Sequence, residues 1–261
     1  MPADTILETK NLTMRFGGLT AVKAFSAAIP RGGIVGLIGP NGAGKTTCFN
    51  MITGFYRPSE GQVLLHGRDI TGTPPHRVCK SGIARTFQNI RLFGNETVLE
   101  NVMIGCHLRQ TTGWWQAVLC LPSSLREERA VAATSRELLA VVGLGDLAGE
   151  KASSLPYGAQ RRLEIARALA TRPTFLLLDE PAAGMNPNET QDLMGFIRDI
   201  RTRFKLTILL IEHDMKVVMG ICEHIWVLDY GETIAAGPPE AIKSDPRVIK
   251  AYLGEEAVTH A

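Results

Sequence analysis

Four short apolar runs set the rhythm of this chain. Residues 33–38, 175–178, 207–211 and 225–228 are each strand-length and mostly apolar, with no polar alternation. Such runs suit strands buried on both faces, as in a parallel sheet. Helical patterning separates the later runs, at residues 189–203 and 214–221. Alternating strands and helices predict an α/β fold, a mostly parallel sheet covered on both faces. Upstream, residues 6–16 have strand character and Gly17-Gly18 reads as a turn. The middle differs. Between about 89 and 171 the pattern is helical, with stretches at 98–107 and 125–142, so this part reads as an insertion into the α/β core.

The second strand-like run, 33–38, leads straight into Gly39-Pro40-Asn41-Gly42-Ala43-Gly44-Lys45-Thr46, and residues 47–53 read as a helix. Strand, glycine loop and helix in that order make a phosphate-binding loop. The glycines let backbone N–H groups turn toward phosphate oxygens, and the helix N-terminus adds a favourable dipole. Lys45 can reach β- and γ-phosphates, and the Thr46 hydroxyl, with Thr47 beside it, lies where Mg²⁺ would bind. The run 175–178 ends in Asp179-Glu180. Ligands gather at the carboxyl ends of strands in open α/β sheets. Asp179 is therefore a candidate Mg²⁺ ligand and Glu180 a candidate base for an attacking water.

Further segments complete an ordered set: Arg85-Thr86-Phe87-Gln88, Leu155-Pro156-Tyr157-Gly158-Ala159-Gln160 before a helical stretch at 161–170, Pro181-Ala182-Ala183-Gly184-Met185-Asn186, and Ile211-Glu212-His213-Asp214. With the loop and Asp179-Glu180, this set resembles the ATP-binding cassette (ABC) ATPases over essentially the whole chain. The resemblance implies one cassette domain over residues 1–261: a P-loop NTPase core with a RecA-like parallel sheet, an N-terminal antiparallel β region, and a helical subdomain at 89–171. It implies ATP and Mg²⁺ as ligands. By position, Phe16 would stack on adenine, and Gln88 would sense Mg²⁺ and the attacking water and signal to transport subunits. His213 would reach the γ-phosphate. Tyr157 and Gly158 lie in the signature segment, which binds the nucleotide held by a second ATPase subunit. Three positions depart from the family pattern: Pro156 for Ser, Ala159 for Gln, and Asn186 for Asp. Proline removes both a hydroxyl and a backbone N–H.

Finer features, including Thr53-Gly54-Phe55-Tyr56, Glu212-His213-Asp214-Met215 and Ala251-Tyr252-Leu253-Gly254, resemble the ATP-binding subunits of branched-chain amino acid importers. That resemblance implies a peripheral protein on the cytoplasmic face of the inner membrane. Its partners would be transmembrane permease subunits, a second ATPase subunit, like or unlike, and indirectly an extracytoplasmic binding protein. Urea or amide transporters and lipopolysaccharide exporters carry nearly the same motifs and stay open as alternatives. The adjacent Trp114-Trp115 in the insert suggests a docking surface for a partner, with a role in the insert's own core as the alternative.

Composition narrows this picture. The 261 residues carry 28 basic and 26 acidic side chains, a net charge of +2. No basic stripe is implied, so nucleic acid is not an expected partner, and a DNA-handling cassette ATPase ranks below a transporter subunit. No Asn-Lys-x-Asp guanine-reading motif is present, which disfavours a GTP switch. No apolar run approaches the roughly 18 residues that span a bilayer. The five cysteines are scattered without metal spacing.

Overall fold

The computed structural model describes residues 5–109 and 122–259. They divide into two compact units, one formed by the chain up to Cys79 together with the chain from Thr174 onward, the other by Lys80–Pro173.

The first unit opens with β1 (Thr5–Phe16) and β2 (Leu19–Pro30), a long antiparallel hairpin closed by Gly17-Gly18 with Phe16 opposite Leu19. Gly17 takes a left-handed φ of 56°, which the two-residue turn requires. Next come β3 (Ile34–Ile38), the helix Lys45–Ile52, and β4 (Glu60–Leu65), which pairs with β1 and with the two-residue β5 (Arg68–Asp69). These give a four-stranded sheet in the order β2-β1-β4-β5. The second unit holds the short strand β6 (Ile83–Arg85) and the helices Val98–Cys106, Pro122–Val141 and Tyr157–Ala170. The first unit resumes with β7 (Phe175–Asp179), the helix Pro187–Phe204, β8 (Thr207–Ile211), the helix Met215–Ile221, β9 (His224–Asp229) and β10 (Glu232–Gly237).

Within the first unit, β7, β8, β3 and β9 lie side by side in that order and run parallel, and β10 pairs antiparallel with β9. Every residue of β3, β7 and β8 is buried. That explains their continuous apolar runs, because a strand covered on both faces has no solvent side to fill with polar residues. The β7–β8 and β8–β9 connections are helical, as parallel crossovers demand. The α/β architecture is the expected one, with an antiparallel β region at the start and helices in the middle.

One boundary differs from expectation. The helix after the glycine loop begins at Lys45 rather than at residue 47, because Gly44 caps it directly at a left-handed φ of 100°. The strand β2 carries no clear apolar run, and its pairing with β1 is broken by bulges, with Asn11 and Ala24 at positive φ.

Candidate functional site

The register of the parallel sheet brings the candidate loops of the first unit to one edge. Asp179 of β7 pairs with Ile211 of β8, and Ile211 pairs with Leu37 of β3. Adjacent strands are about 4.8 Å apart, so Asp179 stands roughly 10 Å from Leu37 across this row. The glycine loop leaves just beyond it after Ile38, Glu180 follows Asp179, and His213 follows Ile211 by two residues.

Two of the loop's three glycines, Gly39 and Gly44, are required by packing as well as by φ. A Cβ on Gly39 (φ 148°) would sit 2.0 Å from the Leu228 carbonyl oxygen, and one on Gly44 would sit 2.5 Å from that of Ala21. Both obstacles are backbone, so no side-chain rotation relieves them. The loop closes with Ala43 N–H donating to Pro40 O (3.2 Å), and Gly231 N–H donates to Ala43 O (3.1 Å) from the β9–β10 turn. The first donor inside the following helix is Cys48, bonded to Gly44 O at 2.9 Å. Helix geometry therefore aims the N–H groups of Thr46 and Thr47 beyond the N-terminus, where an anion is favoured. Asn41 and Gly42 are exposed, and Pro40 and Ala43 are buried.

Lys45 is only 7% exposed, and its Nζ donates to the carbonyl oxygens of Gly39 (2.6 Å) and Pro40 (2.7 Å). The ammonium is thus held inside the loop it would serve. Thr46 is exposed and Asp179 is buried at its strand end. These residues fit a Mg²⁺-nucleotide: a backbone cradle that no side chain may enter, a cation within it, and two hard oxygen donors. Among the described residues no group of three or more His, Cys, Asp or Glu could hold a metal by itself. Mg²⁺ at a phosphate site typically takes only one or two carboxylates.

Glu180 adopts a left-handed φ of 46°, a conformation that strains a non-glycine residue by roughly 1–3 kcal/mol. Its N–H donates to Ile211 O (2.9 Å), and its carbonyl accepts from Ala183 N–H (3.2 Å). The strain turns its side chain to within 3.5 Å of His213 Nδ1. Glu180 is mostly buried and His213 mostly exposed, so the pair has one end in the fold and one toward solvent.

Behind this pair lies a carboxylate that the sequence reading quoted only as a neighbour of His213. Glu212 is fully buried. Its Oε1 accepts the Ala182 N–H at 2.8 Å, and its Oε2 accepts the His213 N–H at 3.2 Å. Glu212 therefore ties the loop after Glu180 to the loop that carries His213. Burial pushes its pKa up, only partly offset by the Ala182 hydrogen bond and by His213. Tyr56 is a further candidate, beside Phe16, that the sequence does not single out. Its ring meets that of Phe16 edge-on at 5.5 Å, and both rings are partly exposed. Two aromatics forty residues apart give no periodic signal.

Gln88, Tyr157 and Gly158 belong to the second unit. Gln88 is exposed, and so is Tyr157. Pro156 occupies the N-cap of the helix Tyr157–Ala170 and supplies no side-chain cap bond, the local consequence of losing the usual hydroxyl. Gly158 has no positive φ, and a Cβ there would meet nothing within 4 Å, so nothing within this chain requires glycine at that position. In the first unit, Asn186 caps the helix Pro187–Phe204, accepting from the N–H groups of Asn188 and Glu189 at 3.0 Å each. Asparagine caps as well as aspartate does, so this departure preserves the local geometry. Trp114 and Trp115 lie outside the described residues.

Comparison with known proteins identifies the family and the fold. Residues 22–183 match the model of the ABC transporter family, and residues 232–258 match that of the branched-chain amino acid ATP-binding cassette transporter. The chain is 48% identical to BraF of Pseudomonas aeruginosa, described as a high-affinity branched-chain amino acid transport ATP-binding protein, covering 96% of this chain and 98% of that one. It is 47% identical to LivG of Escherichia coli K12, which carries the same description, over the same shares. It is 37% identical to the lipopolysaccharide export system ATP-binding protein LptB of Acidithiobacillus ferridurans, again over 96% and 98%. Among solved structures, an ATP-binding cassette of an ABC transporter in its ADP conformation superposes with a TM-score of 0.84 at 33% identity, covering 96% of this chain and 99% of that one.

Proposed function

Because this chain belongs to the ABC transporter family of ATP-binding cassettes, we propose that it is the ATP-hydrolysing subunit of an importer for branched-chain amino acids. The observation that carries the chemistry is the shared row of Asp179, Ile211 and Leu37, which delivers Glu180, His213 and the glycine loop to one edge of the sheet. The relatives at 47–48% identity supply the choice of cargo, and the lower identity to the lipopolysaccharide export protein favours it over that alternative.

In this reading Lys45 and the N–H groups at the start of its helix hold the β- and γ-phosphates, and Phe16, backed by Tyr56, stacks on adenine. Thr46 and Asp179 hold Mg²⁺, which when bound neutralises charge on the phosphate oxygens. Glu180 polarises the attacking water, since phosphoryl transfer needs positioning and charge more than covalent help. His213 braces the Glu180 carboxylate and the γ-phosphate. Gln88 keeps the sensing role that the resemblance implies, toward Mg²⁺, the attacking water and the transport subunits. Tyr157 and Gly158 serve the nucleotide of a second ATPase subunit. A glycine that its own chain does not require suits a surface approached closely by a phosphate. Such a subunit works peripherally at the cytoplasmic face of the membrane, bound to permease subunits. No helix among the described residues is long and apolar enough to cross a membrane itself.

Two variants test the site together. Glu180→Gln keeps nucleotide affinity within about twofold and loses at least about a hundredfold in turnover, or about 2.7 kcal/mol. Lys45→Ala loses nucleotide binding. Near-normal turnover in the first, or unchanged affinity in the second, would overturn the assignment.

A further inference from the structure

The second unit contains a buried ion pair that the proposed chemistry does not use. Arg161 and Glu164, one turn apart on the helix Tyr157–Ala170, are 0% and 2% exposed, with Nη1 and Oε2 2.7 Å apart. A pair at this spacing ordinarily decorates a helix surface. This one faces inward and grips a separate segment by its backbone. Arg161 Nη1 donates to the Phe87 carbonyl at 2.7 Å and Nη2 to the Gln88 carbonyl at 2.9 Å. Glu164 Oε1 accepts the N–H groups of Phe87 (3.3 Å) and Arg91 (3.4 Å). The fork of the guanidinium and the second oxygen of the carboxylate thus hold both ends of residues 87–91, while the Gln88 side chain stays exposed. Arg161 Nη2 also reaches the Tyr157 hydroxyl at 3.4 Å, at the first residue of the same helix. The guanidinium groups of Arg85 and Arg91 lie 5.1 and 4.4 Å from the centre of the Phe87 ring, which stiffens the segment further.

Stability alone is a poor reason for this arrangement. A buried ion pair gains little over apolar residues of equal volume, because both charges must be stripped of water. Here the desolvation is incompletely compensated, since Arg161 Nε is buried with no hydrogen-bond partner. What the pair supplies is geometry: bonds of fixed direction between one helix and four backbone groups of another segment.

We propose that Arg161 and Glu164 are positioning residues that lock the Gln88 segment to the start of the signature helix. The residue that senses the chain's own nucleotide and the surface that meets the second subunit's nucleotide then move as one body. This rests on the reading of Gln88, Tyr157 and Gly158 given above. It predicts that breaking the lock spares nucleotide binding and weakens communication with the transport subunits. Lysine cannot replace Arg161, because it has no planar fork to reach two carbonyls and a carboxylate at once.

The test combines hydrogen exchange on the full-length chain with ATPase assays on the assembled transporter. Two variants are compared: Arg161→Lys, and the pair Arg161→Met with Glu164→Leu, in which neither member of the ion pair is left buried without the other. Amides in residues 86–92 should exchange at least about tenfold faster in both, with the sheet of the first unit unchanged. ATP affinity should stay within about twofold, and the ratio of amino-acid-stimulated to basal hydrolysis should fall at least about fivefold. Unchanged exchange in residues 86–92 would overturn the lock. Faster exchange with an unchanged stimulation ratio would overturn its role in communication. If the double variant does not fold, Arg161→Lys decides by the same criteria. A wild-type assembly that branched-chain amino acids fail to stimulate would sink the import reading instead, and the exchange data would still decide whether the lock exists.

Discussion

Replacing Glu212 separates its two roles, acceptor and buried charge. Glu212→Ala removes the acceptor of the Ala182 N–H, a 2.8 Å bond in a buried setting. A buried donor left without a partner costs about 1–3 kcal/mol. At about 2 kcal/mol, and roughly 2–4 °C per kcal/mol for a domain of this size, thermal unfolding should shift down by about 4–8 °C. Glu212→Gln keeps a carbonyl oxygen for that N–H and should avoid this loss. The charge acts in the other direction. Burial raises the pKa of Glu212, so its ionisation opposes folding. Its contribution is fullest below the ordinary glutamate pKa of about 4.3 and is lost as pH rises through the raised folded value. The glutamine variant cannot ionise. It should therefore gain stability relative to wild type at pH 8 and lose that gain near pH 4. Scanning fluorimetry of the nucleotide-free chain at several pH values reads both effects. Equal melting of the alanine and glutamine variants would refute the hydrogen-bond argument, and a glutamine gain that grows toward acid pH would refute the charge argument. In the assembled transporter, Glu212→Ala should also lower kcat at least about tenfold with KM for ATP unchanged within about twofold, because it loosens the tie between the Glu180 and His213 loops.

Phe16→Ala should weaken ATP binding by about 5- to 150-fold, the equivalent of about 1–3 kcal/mol of base stacking, and Phe16→Tyr should restore it; fluorescence titration with ATP and with inorganic triphosphate checks it, since only ATP should respond. Gly39→Ala should cost more stability than Gly42→Ala, because the first places a Cβ 2.0 Å from the Leu228 carbonyl oxygen and the second meets nothing within 4 Å. Gly39→Ala also strains a φ of 148°, which non-glycine residues essentially never adopt, so its excess loss in chemical denaturation reports the clash and that strain together, and equal losses would contradict it.

The parts of the fold that were legible in the sequence are those where burial leaves no freedom. The strands β3, β7 and β8 read as apolar runs because both faces are covered, and the glycine loop read clearly because backbone atoms of Leu228 and Ala21 exclude any side chain at Gly39 and Gly44. β2 was not legible: apolar residues such as Leu19 and Ala28 are exposed, and the bulged pairing with β1 confines the buried alternation to Phe25, Ala27 and Ile29. Glu212, Arg161 and Glu164 were not legible as buried groups because charged residues ordinarily face solvent. Only the tertiary hydrogen bonds that satisfy them give a reason for burial. Tyr56 escaped for a related reason, since its contact with Phe16 joins residues that are distant in the chain. The effect of Asn186 was legible as a departure from the family pattern, but its role as a helix cap emerged only with the backbone angles and the two N–H groups it accepts.

The central claim, that this subunit powers import of branched-chain amino acids, is tested most directly by purifying the chain with its membrane partners and reconstituting the assembly in liposomes. Leucine, isoleucine or valine, presented with the matching binding protein, should raise ATP hydrolysis several-fold and accumulate inside, and Glu180→Gln in this subunit should abolish both. Stimulation by an unrelated solute such as urea or a lipopolysaccharide, with no response to any branched-chain amino acid, would contradict it.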